Sequence, residues 1–196
     1  TRGMTGQILR YGLPSGIQNS VIAIANLFVQ SNINSFETDA VAGCGSYAKI
    51  EGFAFLPVTC FASSLATFVG QNLGARQYDR VKKGVKFGVI CSISMAECIG
   101  VIIFVAAPLL VRMFNDSPAV IEYGVLQALF YFLLAFAHCV AGICRGAGRP
   151  IVPMAIMLGF WCVVRVVYID IVLKFIPQIQ MIFWAYPLTW GLSCIV

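Results

Sequence analysis

VKFGVICSISMAECIGVIIFVAAPLLV, residues 85–111, is an apolar run interrupted by only two charges, Lys86 near its start and Glu97 near its middle. It exceeds the roughly 20 residues that an α-helix needs to cross about 30 Å of hydrocarbon. Arg80, Lys82 and Lys83 precede it and Arg112 follows it, so it is apolar between charged ends. Working outward, five more runs have the same character: residues 13–35, 41–69, 119–143 and 151–175, and one that begins near Met181. The composition agrees. Of 196 residues 60% are hydrophobic and 11% charged, with a mean hydropathy of +0.88, whereas a soluble chain carries about 25% charge. On a water-facing globule these residues would leave large apolar patches, and nothing here alternates with the short period of a transmembrane β-strand. The expected fold class is all-α: a polytopic membrane protein with six transmembrane helices.

Charge fixes an expected orientation. Of 13 Lys and Arg, nine fall in three segments between apolar runs: Arg2 and Arg10; Arg76, Arg80, Lys82, Lys83 and Lys86; Arg145 and Arg149. In a six-span arrangement these share one side, opposite Arg112, Lys174 and the acids Glu37, Asp39, Asp116 and Glu122. The excess of Lys and Arg places the N-terminus and the loops after the second and fourth runs in the cytoplasm of a cell-membrane protein. Basic residues dispersed this way do not track a phosphate backbone, so nucleic acid is not an expected partner. The cysteines form no CxxC pair and sit mostly inside apolar runs, where they read as packing residues and not as metal ligands. The sixth run stops at Val196 after about 16 residues, Thr1 is not an initiator methionine, and no signal peptide opens the chain. A segment cut at both ends is expected.

The polar residues inside the runs are the candidates for function. Ser15, Asn19, Asn26, Gln30 and Asn34 fall within a sector of roughly 100° at about 100° per residue, a polar stripe on one helix face. Amides on membrane helices can simply join neighbouring helices. Four of them with a serine on one face point to a wet cavity for polar or cationic solutes. Lys49, Glu51, Glu97 and Arg165 are intramembrane charges, each costing about 2.5–3.5 kcal/mol at a helix centre unless paired or hydrated. Entered from the cytoplasm, Glu97 and Arg165 lie at depths of roughly 18 and 21 Å, so they are expected to pair or to form an exchangeable site. Lys49 and Glu51, two residues apart, point to different sides and cannot pair with each other. Pro57, Pro108 and Pro187 interrupt backbone hydrogen bonding in the manner of bendable transporter helices. Enzyme signatures are missing. Residues 70–76 lack the Gly-Lys-Ser/Thr ending of a P-loop, Ile151 stands where a dinucleotide fingerprint needs glycine, and a lone His138 excludes an HExxH site. No catalytic residue, metal or cofactor is expected.

Four stretches carry a family resemblance: Gly12-Leu13-Pro14; Phe68-Val69-Gly70-Gln71-Asn72-Leu73-Gly74-Ala75-Arg76; Arg145-Gly146-Ala147-Gly148-Arg149-Pro150 with Pro153-Met154; and Trp184-Ala185-Tyr186-Pro187-Leu188-Thr189-Trp190. Together they resemble the multidrug and toxic compound extrusion family. The resemblance implies twelve helices in two six-helix lobes, exporting cationic and other amphipathic drugs in exchange for Na⁺ or H⁺. The Tyr-Pro-x-Thr-Trp pattern implies that residues 1–196 are the C-terminal lobe, partnered by an N-terminal lobe of the same polypeptide and by membrane lipid. Some relatives place acids in the first and fourth helices of this lobe. An ungapped count lands on the apolar Ile22 and Leu134, which puts coupling through that pair in doubt. The expected function is a cation-coupled antiporter working by alternating access. A lipid-linked precursor flippase, an integral membrane enzyme and a non-transporting scaffold are the alternatives.

Overall fold

A computed structural model of the chain describes residues 2–36, 38–112 and 127–196, and all the regular structure among them is helical. α1 (Arg2–Ile33), α2 (Thr38–Gly74) and α3 (Tyr78–Arg112) are long rods. α4 (Tyr131–Gly146) follows, then α5 (Ile151–Met157), a π-helical segment (Leu158–Val164) and α6 (Arg165–Phe175), which together make the fifth rod. α7 (Ile179–Ile195) is the sixth. Among the described residues these six rods correspond to the six expected spans, several of them running past the apolar run, and two differences stand out. Helix α1 starts eleven residues before the apolar run, at Arg2 instead of residue 13, and the fifth rod is not a uniform α-helix. Residues 113–126, including Asp116, Glu122 and Tyr123, lie outside the described residues, as does Glu37.

Three helical stretches are long and apolar enough to cross a membrane by themselves: Glu51–Gly74, Tyr78–Ala106 and Ile151–Phe175. The polarity of α1 follows from its amides. The outward surface is apolar, with Phe87, Val105 and Phe175 each more than 70% exposed. The interior is built from small residues and a few rings, among them Ala54, Ala96, Ala128, Ala135, Tyr131, Trp161 and Trp190. That inversion suits a lipid solvent, in which helices gain by close packing and not by hiding hydrophobic groups from water.

The tightest packing joins α2 to α4. A Cβ on Gly142 would collide with the Ala62 carbonyl, one on Gly146 would collide with the Ala66 carbonyl, and one on Gly70 would sit 3.4 Å from the Gly146 carbonyl. Gly142 and Gly146 are four apart, as are Ala62, Ala66 and Gly70, so each set forms one edge along its helix. Helix α3 packs on the outer side of this pair, its Gly84 facing the Phe68 ring and its Gly88 facing Leu65.

Helices α2 and α4 also end alike. Gln77 N–H donates to the Asn72 carbonyl at 2.9 Å and Arg76 N–H to Leu73 at 3.0 Å. Arg149 N–H donates to Cys144 at 2.9 Å and Gly148 N–H to Arg145 at 3.0 Å. Both are Schellman caps, with the left-handed position filled by Arg76 (φ 57°) and Gly148 (φ 78°). The two quoted loop motifs are therefore helix stops at one end of the lobe.

Gly146→Ala should lower thermal stability in detergent by about 1–3 kcal/mol, the usual cost of overpacking, because the new methyl has only the Ala66 backbone to displace. Gly16→Ala, with open space at its Cβ, should leave stability unchanged or raised. Equal melting shifts for both variants would contradict the seam.

Candidate functional site

Helices α1 and α2 barely touch, and the gap between them is the site. One cavity, about 410 Å³, is lined by Asn26 and Gln30 of α1, Glu51 and Phe55 of α2, Gln127, Trp161 of the π-helical segment, Arg165 of α6, and Tyr186 and Trp190 of α7. A second, about 660 Å³, shares Asn26, Phe55 and Trp161 with it and runs towards Arg145 past Asn19, Thr59, Ser63 and His138. Ser15 and Gln18 also border it. The two form one polar-and-aromatic cleft along the lobe.

Arg165 is the most constrained group in the cleft. It is 2% exposed, donates from Nη2 to the Thr189 hydroxyl at 3.0 Å and lies over the Tyr186 ring at 4.2 Å from its centroid, with the Trp161 ring at 5.8 Å. Thr189 passes the hydrogen bond to the Ala185 carbonyl at 2.8 Å. Stacking and one hydrogen bond hold the guanidinium in place while its Nε has no hydrogen-bond partner. Glu51 lies near enough for its charge to act on Arg165, yet the one ion pair within 4.0 Å among the described residues is Lys174–Asp170. Gln127, 1% exposed, likewise has an unpartnered Oε1.

The walls are braced from behind. Trp161 Nε1 donates to Ser193 Oγ at 3.1 Å, and Ser193 donates to the Trp190 carbonyl at 2.8 Å. His138 Nδ1 donates to the Leu134 carbonyl at 3.0 Å, and its ring meets Phe55 edge-on at 4.9 Å between centroids. Gln18 Nε2 reaches Met157 Sδ at 2.6 Å.

Of the predicted polar stripe, Asn26 and Gln30 face the first cavity and Asn19 and Ser15 the second. Asn34 borders neither and accepts instead from Gln30 Nε2 at 2.8 Å. Glu51 and Arg165 face the first cavity, while the exposed Lys49 borders neither. The expected pairing of Glu97 with Arg165 does not occur. Glu97 Oε1 accepts from the Phe132 N–H at 2.9 Å, at the start of α4. That N–H is one of the first-turn donors a helix cannot satisfy internally, and a carboxylate suits the positive end of the helix dipole. Sequence reasoning missed Gln18, Gln127, Phe55 and the hydrogen bond that Arg165 donates to Thr189. The aligned positions Ile22 and Leu134 both border the first cavity, so its one described acid is Glu51.

The MatE family model matches residues 14–170. The chain belongs to the MatE family. The chain is 29% identical over 160 residues to the probable multidrug resistance protein NorM of Thermotoga maritima, covering 79% of this chain and 34% of that protein. It is also 29% identical over 159 residues to the probable multidrug resistance protein YpnP of Bacillus subtilis, with 79% and 36% coverage. The chain thus spans about a third of the length of these curated relatives. Among solved structures, a MATE protein in the bent conformation superposes on all of the chain and 44% of its own length, with a TM-score of 0.91 at 18% identity. An outward-facing MATE-family transporter superposes on 96% of the chain and 43% of its own length, with a TM-score of 0.88 at 18% identity. These likenesses show the fold, one six-helix lobe of a polytopic membrane transporter architecture.

Glu97→Gln and Arg165→Gln should have additive effects on the folded yield of the MatE lobe, whereas Glu51→Gln and Arg165→Gln should couple by about 0.5–3 kcal/mol. Double-mutant cycles on both pairs check this. Coupling in the first pair and none in the second would reverse the assignment.

Proposed function

We propose that the chain is the C-terminal lobe of a cation-coupled multidrug antiporter, exporting amphipathic or cationic xenobiotics from a cleft that an N-terminal lobe completes. The observation that carries this reading is the α1–α2 cleft: amides, aromatic rings and an acid line a gap on a lobe whose outer surface is otherwise apolar. A transport cavity needs aromatic area for the drug body and a few polar groups for its head. Family membership and the names of the relatives support export over catalysis. The Tyr186-Pro187-Leu188-Thr189-Trp190 stretch, which the resemblance assigns to a second lobe, supplies two cleft residues, Tyr186 and Trp190, and the Thr189 hydroxyl that holds Arg165. A lipid-diphosphate flippase would call for a more cationic cleft than Arg165, with Arg145 at the far end of the second cavity, provides, since Lys49 lies outside it. Coupling uses Na⁺ or H⁺; with Ile22 and Leu134 apolar, the coupling acid is Glu51 or belongs to the other lobe.

Residues 1–196 expressed alone in an efflux-deficient host should leave ethidium accumulation unchanged, since one lobe is one wall of the path. With the partner lobe supplied, uncoupler-sensitive export should appear and fall on Asn26→Leu. Export by residues 1–196 alone, or none from the joined lobes, would overturn the reading.

Orientation has its own check. The Arg76–Lys86 segment is assigned to the cytoplasm, so a cysteine at the exposed Gln77, with native cysteines removed, should resist a membrane-impermeant maleimide in intact cells and react after lysis. Labelling in intact cells would invert the topology.

A further inference from the structure

We infer that the outward face of α3 seats an anionic phospholipid: Arg80 and Lys83, with Lys86 beside them, take the headgroup phosphate, and the exposed track below them takes an acyl chain of the same molecule. Such a seat requires only that α3 spans a bilayer; it is independent of what the cleft carries and of which side of the membrane this end faces.

At about 100° per residue, Arg80, Lys83, Phe87, Ile90, Ser94 and Cys98 fall within a sector of roughly 80° on α3. All six are exposed. The middle of that sector lies opposite Ser92, Ala96 and Ile103, which are buried, so the stripe points away from the packed side of the helix. The packing partners of α3 are α2 and α4, whereas the cleft lies between α1 and α2, so a second lobe joined at the cleft leaves this face to lipid. Phe87 is one turn below Lys83, and the rise from Phe87 to Cys98 is about 16 Å, close to the roughly 15 Å of hydrocarbon in one leaflet. Phe87 and Ile90 are large and stand 71% and 54% exposed, while Ser94 and Cys98 are small, so the track dips towards the middle of the membrane and a chain can lie against the helix there. Cations and track thus stand in the order of a phospholipid's head and tail.

The charge is also unspent. Residues 76–86 hold five basic residues against one acid, Asp79, and the one ion pair within 4.0 Å among the described residues is Lys174–Asp170. Arg80, Lys83 and Lys86 therefore carry no carboxylate partner at that distance. Setting the orientation of a membrane helix takes basic residues near its end but no particular register. Here Arg80 and Lys83 share a register with the apolar track, and that arrangement is what one molecule with an anionic head and a hydrocarbon tail needs. A guanidinium fork and an ammonium together suit a phosphate, and clusters of Lys and Arg at the end of a membrane helix attract anionic headgroups. A soluble acidic peptide would use the charges and leave Phe87 and Ile90 uncovered, so lipid is the better fit.

Native mass spectrometry of the chain released from detergent micelles tests this with phosphatidylglycerol and phosphatidylcholine of identical acyl chains. The first phosphatidylglycerol should bind about tenfold or more tighter than phosphatidylcholine, and Arg80→Gln combined with Lys83→Gln should bring the two lipids to parity. Arg10→Gln combined with Arg149→Gln, which removes the same charge from exposed positions elsewhere, should keep the preference. Equal binding of the two lipids by the unsubstituted chain, or equal loss of preference in both double variants, overturns the inference. So does glycerophosphoglycerol, which has the headgroup without acyl chains, or an oligoglutamate peptide, if either binds as tightly as phosphatidylglycerol. Should the Arg80 and Lys83 variant misfold, seen as loss of its thermal transition in detergent, the lipid ranking in the unsubstituted chain and its comparison with glycerophosphoglycerol decide alone.

Discussion

The seam between α2 and α4 sets the geometry of everything else. Gly142 and Gly146 lie against the carbonyls of Ala62 and Ala66, so backbone meets backbone with no side chain between them. In lipid there is no hydrophobic gain in bringing two apolar helices together, and close van der Waals contact must do the work. This contact brings Phe55 of α2 against His138 of α4 and holds Glu51 one turn further along α2, at the first cavity. Because α2 is committed to α4 and α3, it has little surface left for α1, and the cleft opens there. Binding space in this lobe is a consequence of where its tightest packing is spent.

The half-buried Glu97 and the buried Arg165 illustrate two ways for a charge to live in a membrane. Glu97 sits on a helix start, where the Phe132 N–H would otherwise have no acceptor, and its role is architectural: it joins α3 to α4 and needs no cation. Arg165 is held by neutral partners, a hydroxyl and a ring face, and keeps a buried Nε without a hydrogen-bond partner. It begins α6 directly after the π-helical segment. A π-turn inserts one residue and rotates everything beyond it by about 100°. The segment therefore decides that Arg165 faces Thr189 and Glu51 when an uninterrupted α-helix would carry it elsewhere.

That rotation also explains what could and could not be read from the chain. Six rods and their order follow from apolar runs against the thickness of a bilayer, and Asn19, Asn26 and Gln30 follow from an unbroken helical period along α1. Pairing Glu97 with Arg165 used depth alone. Depth is one coordinate of three; azimuth depends on the π-turn and on which helices touch, neither of which a hydropathy pattern contains. The Gly142–Gly146 spacing was visible, but its partners Ala62 and Ala66 look like any alanines in an apolar helix until the contact is seen. Gln127 follows a segment of ordinary composition, and only its burial beside a cavity distinguishes it.

Two of the four stretches that carry the family resemblance turn out to be folding instructions. Asn72-Leu73-Gly74-Ala75-Arg76-Gln77 and Cys144-Arg145-Gly146-Ala147-Gly148-Arg149 superimpose position by position as Schellman caps, each with Gly-Ala before the left-handed residue. Only Gly148 enters that conformation without steric cost; Arg76 does so with a Cβ. These caps stop α2 and α4 at one level, and Gly146 serves both its cap and the seam. No residue of the first cavity takes part in either cap, whereas Arg145 serves both a cap and the second cavity. Glu51, Gln127 and Arg165, which line the first cavity, lie outside those two loops. Ile22 and Leu134 border the same cavity as apolar residues, so its described charges are Glu51 and Arg165.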